Sequence, residues 1–220
     1  MKRALIVIGL AASAATPAAA QFAGMPVWNS PKGGTGVTIS GDYGKPDSSY
    51  GKGNAFGARA TLGLANIDVT AGFSTWKPEG ASSSAKSFGG DVAFRLIGGS
   101  LIPVKVNLQA GAARTTTTGL PNVTSVTGAV GFSVSVPTPG VSIEPWVSPG
   151  VRYVKNDSSG VIPSGSSTNF GFAIGANVGL GMLGFHIAYD YTKLKSSQGG
   201  GHQAVIGIGA HVALKAPIGM

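Results

Sequence analysis

Ten short segments of this chain alternate apolar residues with Gly, Ala, Ser, Asn or charged residues at a spacing of two. In the clearest segment, 168–180, one parity carries Phe170, Ile174, Val178 and Leu180, while the other parity is almost bare. Successive side chains of a β-strand point to opposite faces, so such a segment has one apolar face and one small or polar face. The alternation therefore predicts strands whose two faces meet very different surroundings.

The links between these segments are alternately tight and loose. We predict strands at about 35–45, 54–64, 66–76, 87–97, 103–114, 124–136, 141–154, 168–180, 185–193 and 203–214. Four links are short and mostly contain turn-forming residues, whereas the other five are longer and polar. A parallel crossover needs about a dozen residues or more, so the short links can join only adjacent antiparallel strands.

The beginning of the chain has the pattern of an export signal. Lys2 and Arg3 precede an apolar run that ends at Ala12, and small residues at 18–20 offer a cleavage site before Gln21. The run is shorter than the ~20 residues with which a helix crosses a bilayer. Charged residues make up only 11% of the chain, against roughly 25% in an average soluble domain, so much of the surface faces something other than water.

Together these observations predict an all-β fold: a closed antiparallel up-and-down transmembrane β-barrel of about ten strands, with about eight as the alternative. The tight turns then lie on the periplasmic side and the loose links outside the cell. The chain divides into a signal peptide at 1–20, an N-terminal lead at 21–34, the barrel at 35–214 and a C-terminal tail at 215–220. A soluble secreted β-sandwich is the alternative fold.

By its signal, strand pattern and loop alternation, the chain after residue 20 resembles small bacterial outer-membrane β-barrel proteins of the porin-like superfamily. The resemblance implies the outer membrane of a Gram-negative envelope, insertion by the barrel-assembly machinery, and contact with outer-membrane lipid and lipopolysaccharide. Such barrels commonly finish on an aromatic residue. This chain departs from that pattern, because it finishes its last strand with Val212, Ala213 and Leu214.

Strand parity turns the charges of the strands inward. An Arg or Lys at mid-depth in lipid costs roughly 2–4 kcal/mol, so the lipid face of such a strand stays uncharged. We predict that the lumen is lined by Asp42, Arg59, Asp68, Asp91, Arg95, Lys105, Glu144, Arg152, His186, Asp190 and His211. Either water fills this lumen and makes a narrow polar channel, or long basic side chains reach acids across it and close it. Barrels of about eight strands are usually filled by side chains.

Many aromatic residues share the outward parity and cluster near the loose links, which predicts a girdle at the outer membrane interface. They are Tyr43, Phe56, Phe73, Phe88, Tyr153, Phe170 and Tyr191, whereas Trp76 has inward parity. Most basic residues lie in or near the same links: Lys45, Lys52, Lys77, Lys86, Arg114, Lys155, Lys193 and Lys195. These residues either meet the phosphates of an outer-leaflet glycolipid or are simply solvated. Pro145 and Pro149 each remove a ladder donor, which predicts a bulge in strand 141–154.

Little in the sequence points to catalysis. His186 and Asp190 lie four residues apart on one strand face, about 13 Å, too far for a hydrogen-bonded pair. The chain has no cysteine and no tight cluster of metal-ligating residues, and Gly199–Gly201 lacks the setting of a phosphate-binding loop. We therefore expect no enzymatic activity, no cofactor and no metal. The formal net charge is +8, but an exported chain rarely meets nucleic acid, so we expect none as a partner.

The leading functional hypothesis is a structural membrane protein or a narrow porin-like channel for small polar solutes, because the inner face is small and polar. The alternative is a surface adhesin or receptor that acts through the basic extracellular loops. A membrane-bound lipid-modifying enzyme is the third hypothesis.

Overall fold

The computed structural model describes residues 22–28, 35–98, 102–159, 163–198 and 200–214, and most of them belong to β-strands. The strands are β1 (Gly36–Pro46), β2 (Asn54–Leu64), β3 (Ile67–Lys77), β4 (Ala85–Ile97), β5 (Val104–Thr117), β6 (Val123–Val134), β7 (Val136–Thr138), β8 (Val141–Asn156), β9 (Gly165–Leu180), β10 (Leu183–Lys193) and β11 (His202–Leu214). One 3-10 turn lies at Ser196–Gln198. The predicted signal peptide and C-terminal tail lie outside the described residues.

The strands form one closed antiparallel ring. The ring closes where β1 pairs with β11, from Val37 opposite Leu214 to Pro46 opposite Val205. β6 and the three-residue β7 both pair with β8, and they do so in one register. β7 therefore continues the course of β6 past Ser135, and the wall of the barrel has ten strands.

The predicted fold class is confirmed. The chain is a closed up-and-down β-barrel of ten strands, neither an eight-stranded barrel nor a sandwich of two sheets. The predicted strand ends agree with the observed ends to within three residues. The agreement is close because a one-residue slip of any strand would move its whole apolar face from the outside of the wall to the inside.

The links define two ends of the barrel. At the turn end, neighbouring strands are joined by short links such as 65–66 and 181–182. Ala65 and Gly181 begin these links with φ values of 55° and 67°, and type II′ hairpin turns need a positive φ at that position. At the loop end, five links of five to eight residues cover 47–53, 78–84, 118–122, 157–164 and 194–201.

The outward face of the wall is apolar. Phe88, Phe170 and Ile208 are 61%, 58% and 54% exposed, and similar side chains recur around the barrel. An apolar band of this extent is unfavourable in water and suited to lipid hydrocarbon. Within the described part of the chain, no helix has the length and apolar character to cross a membrane.

The bulge predicted in strand 141–154 is wrong. β8 keeps one register with β9 over its length, and its pairing with β6 has the same register on both sides of a gap opposite Val130 and Gly131. The gap lies beside Pro149, so the missing donor is accommodated by leaving pairs open and not by inserting a residue. The observed irregularity is in β4, between Arg95 and Ile97, and it turns both Leu96 and Ile97 outward.

Candidate functional site

The lumen contains a piece of the chain itself. Residues 22–28, which we call the plug, lie inside the barrel. Its apolar side chains are almost fully buried: Phe22, Met25, Val27 and Trp28 are 2%, 1%, 1% and 6% exposed. From the sequence, this segment is predicted only as a lead before the first strand. The structure therefore adds an internal element that strand periodicity cannot predict.

Glycines in the wall make room for the plug. A Cβ on Gly57 would come within 2.9 Å of the Met25 Cε atom, and one on Gly44 within 3.0 Å of the Met25 sulfur. A Cβ on Gly207 would come within 2.8 Å of the Trp28 ring. These contacts are too close for any larger residue without a shift of the plug. Part of the inner face is bare because the plug fills the space in front of it.

Two polar contacts fix the plug to opposite parts of the wall. The Val27 amide donates to Asp190 Oδ2 on β10 at 3.2 Å. The Ser74 hydroxyl on β3 donates to the Ala23 carbonyl at 3.0 Å. Both contacts are buried, where a backbone group without a partner would be costly. The plug is therefore hydrogen-bonded into the barrel as well as packed.

Tyr50, from the loop-end link 47–53, closes over the plug. Its side chain is 4% exposed and stacks on Trp76 with ring centroids 5.0 Å apart. The Gly24 amide faces the Tyr50 hydroxyl at 3.5 Å. Burial raises the pKa of Tyr50, so its hydroxyl remains protonated and uncharged at neutral pH. Trp76, which has the predicted inward parity, forms part of this cap.

A cluster of charged and imidazole groups lies beside the plug. Arg59 Nε donates to Asp42 Oδ2 at 2.6 Å, and His186 Nε2 lies 2.6 Å from Asp42 Oδ1. His211 Nδ1 is 3.2 Å from His186 Nδ1. The Trp28 ring meets the His186 ring edge to face at 4.6 Å. The Asp42 and His186 side chains are only 1% and 5% exposed, so the contact between them is buried.

The contact between Asp42 and His186 is not predicted from the sequence. The two residues lie on β1 and β10, which are separated by β11, and Gly209 lies between them in the register. A Cβ on Gly209 would collide with both Asp42 and His186. The two side chains meet over a residue that has none. The predicted parity of both residues, together with an inward glycine on the intervening strand, is the signal from which the contact could have been inferred.

A second buried ion pair joins Arg152 and Asp190, with Nη2 and Oδ2 3.2 Å apart and both side chains 1% exposed. The Nε and Nη1 atoms of Arg152 have no hydrogen-bond partner among the described residues. The same holds for the side-chain oxygens of Asn169 and Thr192 and for both amide atoms of Gln203. We call Arg152, Asn169, Thr192 and Gln203 the polar wall. Polar atoms in such a setting are usually satisfied by ordered water.

The structure places the remaining predicted lumen residues on the inner face as well. Lys105 Nζ pairs with Glu144 Oε2 at 3.3 Å, and the Ser133 hydroxyl donates to Glu144. Asp91 is buried on β4. Asp68 and Arg95 are half-buried towards the turn end, where Arg95 donates to the carbonyl of Ala65. None of the predicted lumen residues is exposed.

Ion pairs and the plug occupy much of the inner face. Acids and bases of the inner face pair along the wall, between strands that are adjacent or separated by one strand, and the plug lies inside the ring that they line. Within the described ranges, no group of three His, Asp or Glu side chains is placed to hold a metal ion. Trp28 of the plug packs against the ring of His186, whose side chain is 5% exposed.

Comparison with known proteins shows the fold. No protein-family model matches the chain, and no curated protein matches it. The beta domain of the Bordetella autotransporter BrkA matches with a TM-score of 0.55 and 10% identity, over 82% of this chain and all of that domain (100%). LpxR from Salmonella typhimurium (TM-score 0.44, 9% identity) covers 82% of this chain and 100% of its own. The N-terminal barrel domain of Pseudomonas aeruginosa OprF matches with a TM-score of 0.34 and 11% identity, over 82% of this chain and 99% of its own. The chain has the fold of an outer-membrane β-barrel.

Proposed function

We propose that this protein is an outer-membrane β-barrel whose lumen is held closed by its own plug, and that small polar solutes pass only when the plug leaves. The observation that carries the proposal is the plug's position: its apolar side chains are no more than 6% exposed inside the barrel. The proposal includes export by cleavage before Gln21 and insertion by the barrel-assembly machinery. Such cleavage leaves a single residue ahead of the buried Phe22.

Closure at rest follows from what occupies the lumen. A barrel of about eight strands is just wide enough for side chains to fill, and ten strands enclose only slightly more space. Here the inner-face ion pairs and the plug share that space. The buried plug therefore leaves little room for a continuous water path beside it.

The polar wall supports passage after the plug has moved. A wall that only had to hold an apolar segment would be apolar itself, since each unpaired buried polar group costs about 1–3 kcal/mol. Instead, Arg152, Asn169, Thr192 and Gln203 present several unpaired donors and acceptors to the interior. A conduit lined with donors and acceptors of this kind suits small polar solutes once the plug is out.

Single-channel recording in planar lipid bilayers tests the proposal. We expect the unmodified protein to give no regular current steps, and a variant that lacks residues 22–28 to give discrete steps of one size. Deletion of residues 79–83 from a loop-end link, which leaves the plug intact, is the control and should remain silent. Far-UV circular dichroism checks that each variant retains its β-structure.

Two results would contradict the proposal. Regular steps from the unmodified protein would show that the plug does not close the lumen. Silence from a correctly folded deletion variant would show that the barrel is purely structural.

The alternative functions have less support. The loop-end links are only five to eight residues long, and just two of the predicted loop lysines, Lys52 and Lys195, lie within them. Recognition by extended basic loops is therefore not the function we propose. We also propose no catalytic role, because the Asp42 and His186 side chains are sealed behind the plug.

A further inference from the structure

Basic side chains surround the outside of the barrel near its loop end. Each is one of the last four residues at the loop end of its strand, and each is exposed on the outward face. They are Lys45 on β1, Lys77 on β3, Lys86 on β4, Arg114 on β5, Lys155 on β8 and Lys193 on β10. We call these six residues the basic ring. Their strands are distributed around the circumference, so the ring is a property of the whole wall.

The basic ring lies one step beyond the aromatic girdle. Tyr43, Phe88, Tyr153 and Tyr191 each precede or follow a ring lysine by two residues, on the same outward face and nearer the middle of the strand. Two residues of a strand span about 7 Å. Aromatic belts mark the headgroup level of a bilayer, so the lysine ammonium groups lie at that level or just beyond it.

Few carboxylates neutralise the ring. Among the described residues, Arg114 pairs with Asp157 at 2.8 Å, and the loop lysine Lys52 pairs with Glu79 at 3.5 Å. The five ring lysines make no ion pair with a carboxylate in the described part of the chain. An uncompensated belt of positive charge at the headgroup level calls for a negative partner in the membrane.

We propose that the basic ring binds the phosphate groups of an anionic glycolipid, lipopolysaccharide, in the outer leaflet. The lysines project from a lipid-facing wall, so their stems can follow the hydrocarbon while the ammonium groups reach the headgroups. A protein partner or a nucleic acid would be met by loop tips, but most of the basic residues are on the wall. The inference rests on the proposed outer-membrane location and is independent of the plug.

The experiment compares two double variants of the full chain with equal loss of charge. Lys155→Gln with Lys193→Gln removes two ring lysines from β8 and β10, and Lys52→Gln with Lys195→Gln removes two loop lysines. Each protein is placed in phosphatidylcholine nanodiscs and titrated with fluorescent lipopolysaccharide. A lysine near an anionic surface contributes about fivefold to affinity, so the ring pair should lose about 25-fold and the loop pair much less.

Two further arms identify the ligand. Lipopolysaccharide from which the phosphates have been removed should bind the unmodified protein more weakly than phosphorylated lipopolysaccharide binds the ring variant, because all six ring residues then lose their partners. Inorganic phosphate at the same phosphate concentration should not compete. Equal affinity of the two double variants, indifference to phosphate removal, or full competition by inorganic phosphate would each overturn the proposal. None of these readouts depends on conductance, so the proposal for the basic ring and the proposal for the plug can fail separately.

Discussion

Two glycines of β1, three residues apart, show how finely the two faces of one strand are adapted. Gly41 faces outward, and a Cβ placed on it would meet nothing within 4 Å. Gly44 faces the lumen, and a Cβ placed on it would overlap the Gly24 carbonyl oxygen of the plug. Neither glycine has the positive φ that would require glycine for backbone reasons. The space each one faces, and not its backbone, therefore distinguishes them.

We predict that Gly44→Val displaces the plug and that Gly41→Val does not. The added methyl groups at residue 44 have no space while Gly24 and Met25 stay in position. Amide hydrogen exchange at Val27, whose N–H is bonded to Asp190, measures the displacement. We expect protection of this amide to be lost in Gly44→Val and kept in Gly41→Val. Retained protection in both variants would contradict the interpretation that Gly44 makes room for the plug.

At the scale of the element, each strand separates two environments. β11 carries Ile206, Ile208 and Val212 outward, while Gln203, Val205 and Gly207 face the lumen. The outward set faces lipid, whereas Gly207 lies against the plug and Val205 packs against Tyr50 and Trp76. Because neighbouring residues belong to different environments, the cost of a substitution on β11 depends on its parity and on its depth in the membrane.

We predict that Ile208→Arg, at the middle of β11, lowers the free energy of unfolding by about 2–4 kcal/mol. Leu214→Arg, on the same face at the turn end of the strand, should cost only about 0–1 kcal/mol, since an arginine there reaches the interface. Urea unfolding in lipid vesicles, followed by tryptophan fluorescence, gives both values. Equal costs at the two positions would mean that β11 does not span the membrane.

The sequence is sufficient to predict the strands, but not the plug or the contacts that cross a strand. Period-two alternation was sufficient for the strands and for the inward placement of charges, because lipid and lumen impose different costs on alternate residues. It did not predict the plug, since residues 22–28 have no such period and their partners, Ser74 and Asp190, are far along the chain. It missed the contact of Asp42 with His186 for a related reason: the contact crosses an intervening strand. The bulge predicted within strand 141–154 is wrong because the ladder accommodates Pro149 by leaving pairs open.

At the scale of the whole molecule, the barrel is apolar outside and has much of its apolar core in the plug. Val27 and Trp28 form one buried cluster with Trp146, and Phe22 and Met25 form another with the wall. The segment that closes the lumen is thus also part of the packing that stabilises the fold. Closure and stability depend on the same residues.

We therefore predict that Phe22→Ala lowers the free energy of unfolding by about 3–5 kcal/mol, as for a large residue in a protein core. Phe22 is 2% exposed, whereas Phe88 is 61% exposed on the lipid-facing wall. Phe88→Ala is the matched control and should cost less, because no cavity forms where lipid can fill the space. Urea titration in vesicles compares the two variants. A smaller loss for Phe22 than for Phe88 would show that the plug adds little to stability.

The position of the plug also constrains the order in which the molecule can assemble. Residues 22–28 precede β1 and so are synthesised before any strand, yet Val27 and Trp28 contact β10 and β11, among the last to be made. These contacts are separated by about 160 residues of chain, and contacts of such separation form slowly because a long loop must close first. The seam between β1 and β11 must then close around a segment already inside it. The plug is therefore synthesised before its partners on β10 and β11, and the seam must stay open until the plug has entered the lumen.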